Sequence, residues 1–319
     1  MRVAVTRRLF EAQIDRLRER YEVVTWDSDL PPSPSELVEL LSGADGALTL
    51  LTDRIDGDLL DKLPDLRVVS NLAVGFDNID VPAATERSVA VCTTPDVLTD
   101  ATAEFTLALI FAAARQVVAG ERAARDGDWH TWYPMRFLGI DLKGARLGII
   151  GLGRIGARTA ELAQALGMQV AYYDPGTEDE RFERQSLEDL LSQSDIISLH
   201  TPLLDSTRGL IDRDRIRLMR DDAILINTAR GPIIDTDALV EALQQGKFRA
   251  VALDVTDPEP LPSDHALYGF DNVIITPHIA SATEATRLEM ARLAVDNIIA
   301  VLEGGDPPNC LNPEVLDRG

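Results

Sequence analysis

Cysteine is scarce in this 319-residue sequence: only Cys92 and Cys310 occur, with neither a CxxC pair nor metal-ligand spacing. That pattern supports neither a disulfide framework nor a zinc site, and no metal is expected. Lysine occurs only at Lys62, Lys143 and Lys247, against 53 acidic residues. The formal net charge is −22, and so negative a surface repels phosphate backbones and anionic headgroups, which disfavours nucleic acid and membrane as partners. A coding preference for Arg, Ala and Asp and an adaptation to high salt explain this bias equally well. No apolar run approaches the roughly 20 residues of a membrane span. The run at 105–114 is shorter and is bounded by Glu104 and Arg115. The opening MRVAVTRRLF reads as a buried strand and a basic turn, without the apolar core and cleavage site of a signal peptide. The expected compartment is a reducing cytoplasm.

Short apolar runs alternate with helical patterns almost throughout: RVAVT, YEVVTW, GALTLL, LRVVSNL and VAVCT, then RLGII, QVAYYD, DIISLH, AILINT, VALDV and NVIITP. Such runs between helices indicate βαβ units and parallel sheets covered on both faces, an α/β, doubly wound architecture. The length predicts two domains. Residues 1–98 form one alternating set and residues 141–283 another. A long helix is expected from about Asp100 to Arg125, capped by Thr99 or Asp100, and a second over roughly 283–303, stopped by Gly304-Gly305.

The second set carries Gly151-Leu-Gly153-Arg-Ile-Gly156, directly after RLGII and opening ARTAELAQAL. In this strand–turn–helix setting Gly151 permits the tight turn, Gly153 the approach of a pyrophosphate, and Gly156 close packing of helix on strand. Asp174 ends the next strand, 18 residues past Gly156, where a carboxylate accepts hydrogen bonds from the adenosine ribose. Dinucleotide binding is the reading, with NAD as the cofactor.

Three polar residues each follow a buried strand of the same set: Arg230 after AILINTA, Glu259 after VALDV, and His278 after NVIIT. Ligands of open parallel sheets bind beyond the carboxyl ends of the strands, so the trio is expected on one rim with the glycine turn. Arginine offers a fixed fork to a carboxylate. Histidine is a proton donor near neutral pH, and a carboxylate beside it orients the ring and stabilises its charged form. Singly, each has a plainer reading: a surface ion pair, a solvated proline turn, a capping residue. Together they suit hydride transfer to a 2-keto acid.

In order and spacing, GLGRIG, YYD, LHTPL, LINTARG, VALDV…EP and TPHIAS resemble the D-isomer-specific 2-hydroxyacid dehydrogenases, over essentially the whole chain from SNLAVGFDNID to PPNCLNPEV. The tract GDWHTWYP…GIDLKG and the ending PPNCLNPEV are most similar to the glyoxylate/hydroxypyruvate reductase branch. The resemblance implies a flavodoxin-like substrate domain, 1–98 with 284–319, and a Rossmann cofactor domain, 99–283. It makes His278 the acid/base, Glu259 its partner and Arg230 the substrate clamp. Val74 and Gly75 offer N–H groups to the substrate carboxylate, with Leu51 and Ser281 lining the same pocket. Arg154 and Ile155 meet the pyrophosphate, and Thr201 the adenosine half. Thr102, Thr228, Ala229 and Asp254 are placed nearer the nicotinamide, with Asp254 on its carboxamide. The branch implies a homodimer in which Trp132 reaches toward the neighbouring subunit's site, although interface packing explains Trp129 and Trp132 equally well. NADP-preferring members carry a small or basic residue where Asp174 stands, and phosphite-oxidising relatives carry lysine where Val74 stands. The alternative function is an NAD-sensing, corepressor-like interaction protein of the same fold; the expected lack of disordered extensions favours the enzyme.

Overall fold

In a computed structural model, which describes residues 1–316, these alternating runs become two parallel sheets in two separate units. The first unit comprises Met1–Leu98 and the chain from Thr283 onward; the second is Thr99–Ala282. The first begins with β1 (Arg2–Val5), α1 (Glu11–Arg18), β2 (Glu22–Thr25), α2 (Pro34–Leu41) and β3 (Gly46–Thr49). It continues with α3 (Gly57–Leu60), β4 (Val68–Asn71), α4 (Val81–Glu86) and β5 (Ala90–Cys92). Its strands lie in the order β2-β1-β3-β4-β5, all parallel, which is the flavodoxin-like arrangement. Every residue of β3, β4 and β5 is buried, because helices cover both faces. Each fully buried Val, Leu or Ile contributes roughly 1.5–3 kcal/mol.

The second unit opens with α5 (Thr99–Ala114) and α6 (Val117–Arg125), followed by β6 (Arg146–Ile150), α7 (Arg154–Ala165), β7 (Gln169–Tyr173) and β8 (Glu183–Arg184). Then come α8 (Leu187–Gln193), β9 (Ile196–Leu199), α9 (Arg213–Leu218), β10 (Ile224–Asn227), α10 (Thr236–Gln244), β11 (Ala250–Leu253) and β12 (Val273–Ile275). The seven strands run β12-β11-β10-β9-β6-β7-β8, all parallel, so the order reverses between β6 and β9 as in a Rossmann sheet. After β12 the chain returns to the first unit as α11 (Glu284–Leu302), which packs on β3, β4 and α1. Thr283 starts that return as its N-cap, accepting the Thr286 N–H at 3.1 Å.

Two expectations need correction. The helix expected over Asp100–Arg125 is two helices bent by 63°. Gln116 adopts a left-handed φ of 50°, and the Ala114 carbonyl accepts from the Ile140 N–H at 3.0 Å instead of from the next helical turn. The Gln116 side chain donates to Leu138 O at 2.7 Å, so the crossing tract 138–140 sets the break. Neither Thr99 nor Asp100 is the cap, because both lie inside the first turn of α5. The two-residue edge strand β8 was not anticipated; it is too short and too polar for an apolar pattern to reveal.

Candidate active site

The switch point of the second sheet is shaped by its glycines. Gly151 takes φ +92°, and a Cβ there would meet the His200 carbonyl and the Thr201 N at 2.8 Å; at Gly156 a Cβ would lie 2.1 Å from Gly151 O. These two positions therefore serve the turn and the packing of α7 on β6. At Gly153, by contrast, a Cβ would meet nothing within 4 Å, and Gly153 caps α7 without a side-chain bond. The first turn of α7, with Arg154 and Ile155, begins beside that open space, and the positive end of a helix suits a pyrophosphate.

Asp174 follows β7 beside this turn. One oxygen accepts from the Leu152 N–H, and the other from Gly176 and Thr177, all at 2.8 Å. Burial pushes its carboxyl up, but the backbone donors outweigh it and hold the group below the usual range, ionised at neutral pH. The cations around it are committed to other acids: Arg181 to Asp179 and Glu161, Arg184 to Glu178.

Beneath the turn sits a residue the sequence reading passed over. His200, beside Thr201, is half-buried, hydrogen-bonds Ser198 Oγ at 2.8 Å, and is pushed down to about 3 by desolvation. A free histidine gains its proton near 6.5. The stability from keeping this ring neutral is therefore full above pH 6.5 and is lost as pH falls toward 3, at up to about 1.4 kcal/mol per pH unit. The thermal midpoint of the wild type should fall between pH 7 and 5 more steeply than that of His200→Asn; parallel slopes would show that His200 titrates freely.

The carboxyl ends of β10, β11 and β12 carry the other residues of this unit. Asn227, buried at the end of β10, accepts from the Ala229 N–H at 3.0 Å and donates to Arg230 O at 2.8 Å, which folds the turn that presents Arg230. Gly231 lets that turn press on the next: a Cβ there would lie 1.9 Å from Thr256 O. Thr228 is tied through its hydroxyl to Thr106 at 2.9 Å, one turn along α5 from Thr102.

His278 Nδ1 lies 2.6 Å from Glu259 Oε1, and Glu259 Oε2 accepts from the Thr256 N–H at 3.3 Å. Burial pushes the Glu259 carboxyl up, but contact with His278, the Thr256 amide and the Arg230 charge bring it below the usual range. His278 itself has φ +54°, strained for a side-chain-bearing residue. Asp254 holds it there. This buried carboxylate accepts from Thr276 Oγ1 at 2.6 Å, Ile279 N–H at 2.9 Å and Ala280 N–H at 2.8 Å, while its own carbonyl takes the His278 N–H at 2.9 Å. Asp254 thus engages the loop that carries His278 and leads to Ser281.

In the first unit, Leu51 follows β3, and Val74 and Gly75 follow β4. Three residues missed in the sequence fix these turns. Asn78 donates to Leu50 O at 3.1 Å and Asp53 O at 2.8 Å, Asn71 donates to Gly75 O at 3.2 Å and to Asn78 Oδ1 at 3.1 Å, and buried Asp53 accepts from the Leu50 N–H at 2.8 Å. FDN and TDR carry no motif signal for this, since only the fold brings them together. A cavity of about 720 Å³ lies elsewhere, at the amino ends of β10–β12, lined by Arg122, Phe137, Asp222 and Arg249.

A Rossmann sheet with an open glycine cradle at its switch point, and a His–Glu pair with an arginine on the same rim, defines a dinucleotide-dependent dehydrogenase. Residues 107–280 match the model of the D-isomer specific 2-hydroxyacid dehydrogenase NAD binding domain. The chain is 49% identical to a glyoxylate reductase of Aeropyrum pernix, covering 99% of this chain and 97% of the relative, and 46% identical to one of Thermofilum pendens over 99% and 95%. A solved Thermus thermophilus protein superposes with a TM-score of 0.94 at 48% identity, covering 98% and 100% of the two chains. The chain belongs to the D-isomer-specific 2-hydroxyacid dehydrogenase family, in its glyoxylate reductase branch. It is an NAD(P)-dependent oxidoreductase acting on 2-hydroxy and 2-keto acids.

Proposed function

We propose that the protein reduces a small 2-keto acid of the glyoxylate or hydroxypyruvate type to the D-2-hydroxy acid, using NADH, with His278 as proton donor. The observation that carries this reading is the 2.6 Å contact of His278 Nδ1 with Glu259, beyond the carboxyl ends of the strands of the same sheet that carries the glycine turn. With Nδ1 engaged, Nε2 is the ring atom left to give a proton to the carbonyl oxygen. Arg230 holds the substrate carboxylate and stabilises charge developing on the carbonyl. Leu51, the Val74 and Gly75 N–H groups and Ser281 are the further contacts proposed with the substrate. The bound nicotinamide supplies the hydride. The proposed contacts of Thr102, Thr201, Thr228, Ala229 and Asp254 are with that cofactor. Glyoxylate and hydroxypyruvate should give the highest kcat/KM in a panel of keto acids with NADH. A clear preference for a bulky keto acid would refute the substrate.

The preference for NADH rests on Asp174, ionised and backed by Glu178 and Glu180, facing the 2′-phosphate of NADP as a like charge. NADH should be used with roughly tenfold or greater kcat/KM. Asp174→Asn, which removes the charge but keeps an acceptor for the turn, should narrow that ratio. Equal use of NADPH by the wild type would overturn the assignment.

A homodimer is supported by exposed apolar residues within one tract: Trp129 is 73%, Trp132 81% and Met135 79% exposed. Light scattering should report a dimer, and combined alanine substitution of the three should shift it to monomer.

A further inference from the structure

The two cysteines that show no pairing signal in the sequence are neighbours in the fold. Cys92 ends β5, the edge strand of the first sheet, and is completely buried. The tract Asn309–Asn312 lies along that edge and is tied to it on both sides of Cys310. Leu311 N–H donates to Val91 O at 2.8 Å, Asn312 Oδ1 accepts from the Val91 N–H at 2.8 Å, and Asn309 Oδ1 accepts from Thr93 Oγ1 at 2.8 Å. Asn312 also donates to Val89 O at 2.9 Å. The bonds bracket Cys310 against Cys92, and the Cys310 thiol itself donates to Asn312 Oδ1 at 3.5 Å. Both are free, and Cys310 is half-buried whereas Cys92 is buried.

We propose that Cys92 and Cys310 form a reversible intramolecular disulfide, a modification site whose oxidant is hydrogen peroxide. Cys310 is the attacking sulfur: an S–O bond forms as the peroxide O–O bond breaks, giving a sulfenic acid and one water. The Cys92 sulfur then attacks that of Cys310; the S–S bond forms, the S–O bond breaks, and a second water leaves with the remaining protons. Each sulfur is oxidised by one electron, and the peroxide is reduced to two waters. The adjacent Cys92 thiol draws the Cys310 thiol down to about 7, against the opposing effect of burial, which supplies thiolate at neutral pH. The contact with Cys310 and burial push the Cys92 thiol up, so Cys92 stays protonated while Cys310 reacts first with the peroxide, and it loses its proton as it attacks. The bond would close a loop of more than 200 residues that includes the whole second unit. Loops of that length gain most from cross-linking, because the unfolded chain is constrained.

The test is hydrogen peroxide treatment of the purified protein, followed by thiol titration under denaturing conditions and peptide mapping. Both thiols should disappear, a peptide pair joining Cys92 to Cys310 should appear lighter by two hydrogens, and the thermal midpoint should rise by about 5 °C or more. Dithiothreitol should reverse all three. In Cys310→Ser the Cys92 thiol should stay titratable and the midpoint unmoved; in Cys92→Ala a dimedone adduct should accumulate on Cys310. Two intact thiols after treatment that fully oxidises glutathione, overoxidation of Cys310 without a cross-link, or a bond between chains would each overturn the proposal. Mapping of the wild type decides the matter even if a variant fails to fold.

Discussion

Replacing His278 by alanine should lower kcat by about 100-fold or more while leaving NADH affinity nearly unchanged. The expectation follows from where the side chain is tied. The side chain is tied through Nδ1 to Glu259, and the fold of its loop depends on backbone N–H groups and Thr276 held by Asp254, none of which the substitution removes. The backbone at φ +54° is strained for alanine as it is for histidine, so any effect on the loop should be small beside the loss of the proton donor. Binding and hydride transfer should persist at a residual rate. Glu259→Gln should give a milder defect in kcat, because the neutral amide can still contact Nδ1 and hold the ring in place. Unchanged kcat in His278→Ala would remove the residue from the mechanism.

Arg230→Ala should reduce kcat/KM by about 100-fold or more, with losses in both KM and kcat, because a charged fork on a carboxylate acts in the ground state and the transition state alike. Arg230→Lys should recover only part of it, since an ammonium cannot reproduce the planar fork. A second signature separates this role from a structural one. The Arg230 charge helps keep the Glu259 carboxyl low. Without it that carboxyl protonates at higher pH, so the acid limb of activity should move to higher pH. A drop in thermal stability with wild-type kinetics would make Arg230 a structural residue instead.

What the sequence made legible follows from range. Strands such as β9, β10 and β11 were readable because each is a short run buried on both faces, so composition alone marks it. The glycine turn was readable because Gly151, Gly153 and Gly156 sit within six residues and answer to one turn and one helix start. The bend at Gln116 was not, because it is set by a tract some 22 residues downstream that binds Ala114 and Gln116. The trio Arg230, Glu259 and His278 could be nominated from strand ends. The supports behind it could not: Asn227, Thr106 and the loop bonds of Asp254 are polar atoms inside apolar surroundings, and only pairing explains them. The neighbouring cysteines are the extreme case, joined by a fold that carries the chain through an entire second unit before returning.

The most direct measurement is the reduction of hydroxypyruvate by the wild-type protein with NADH, scored by the chirality of the glycerate formed. The account predicts D-glycerate in equal amount to the NADH consumed. No consumption of NADH, or L-glycerate as the product, would contradict it.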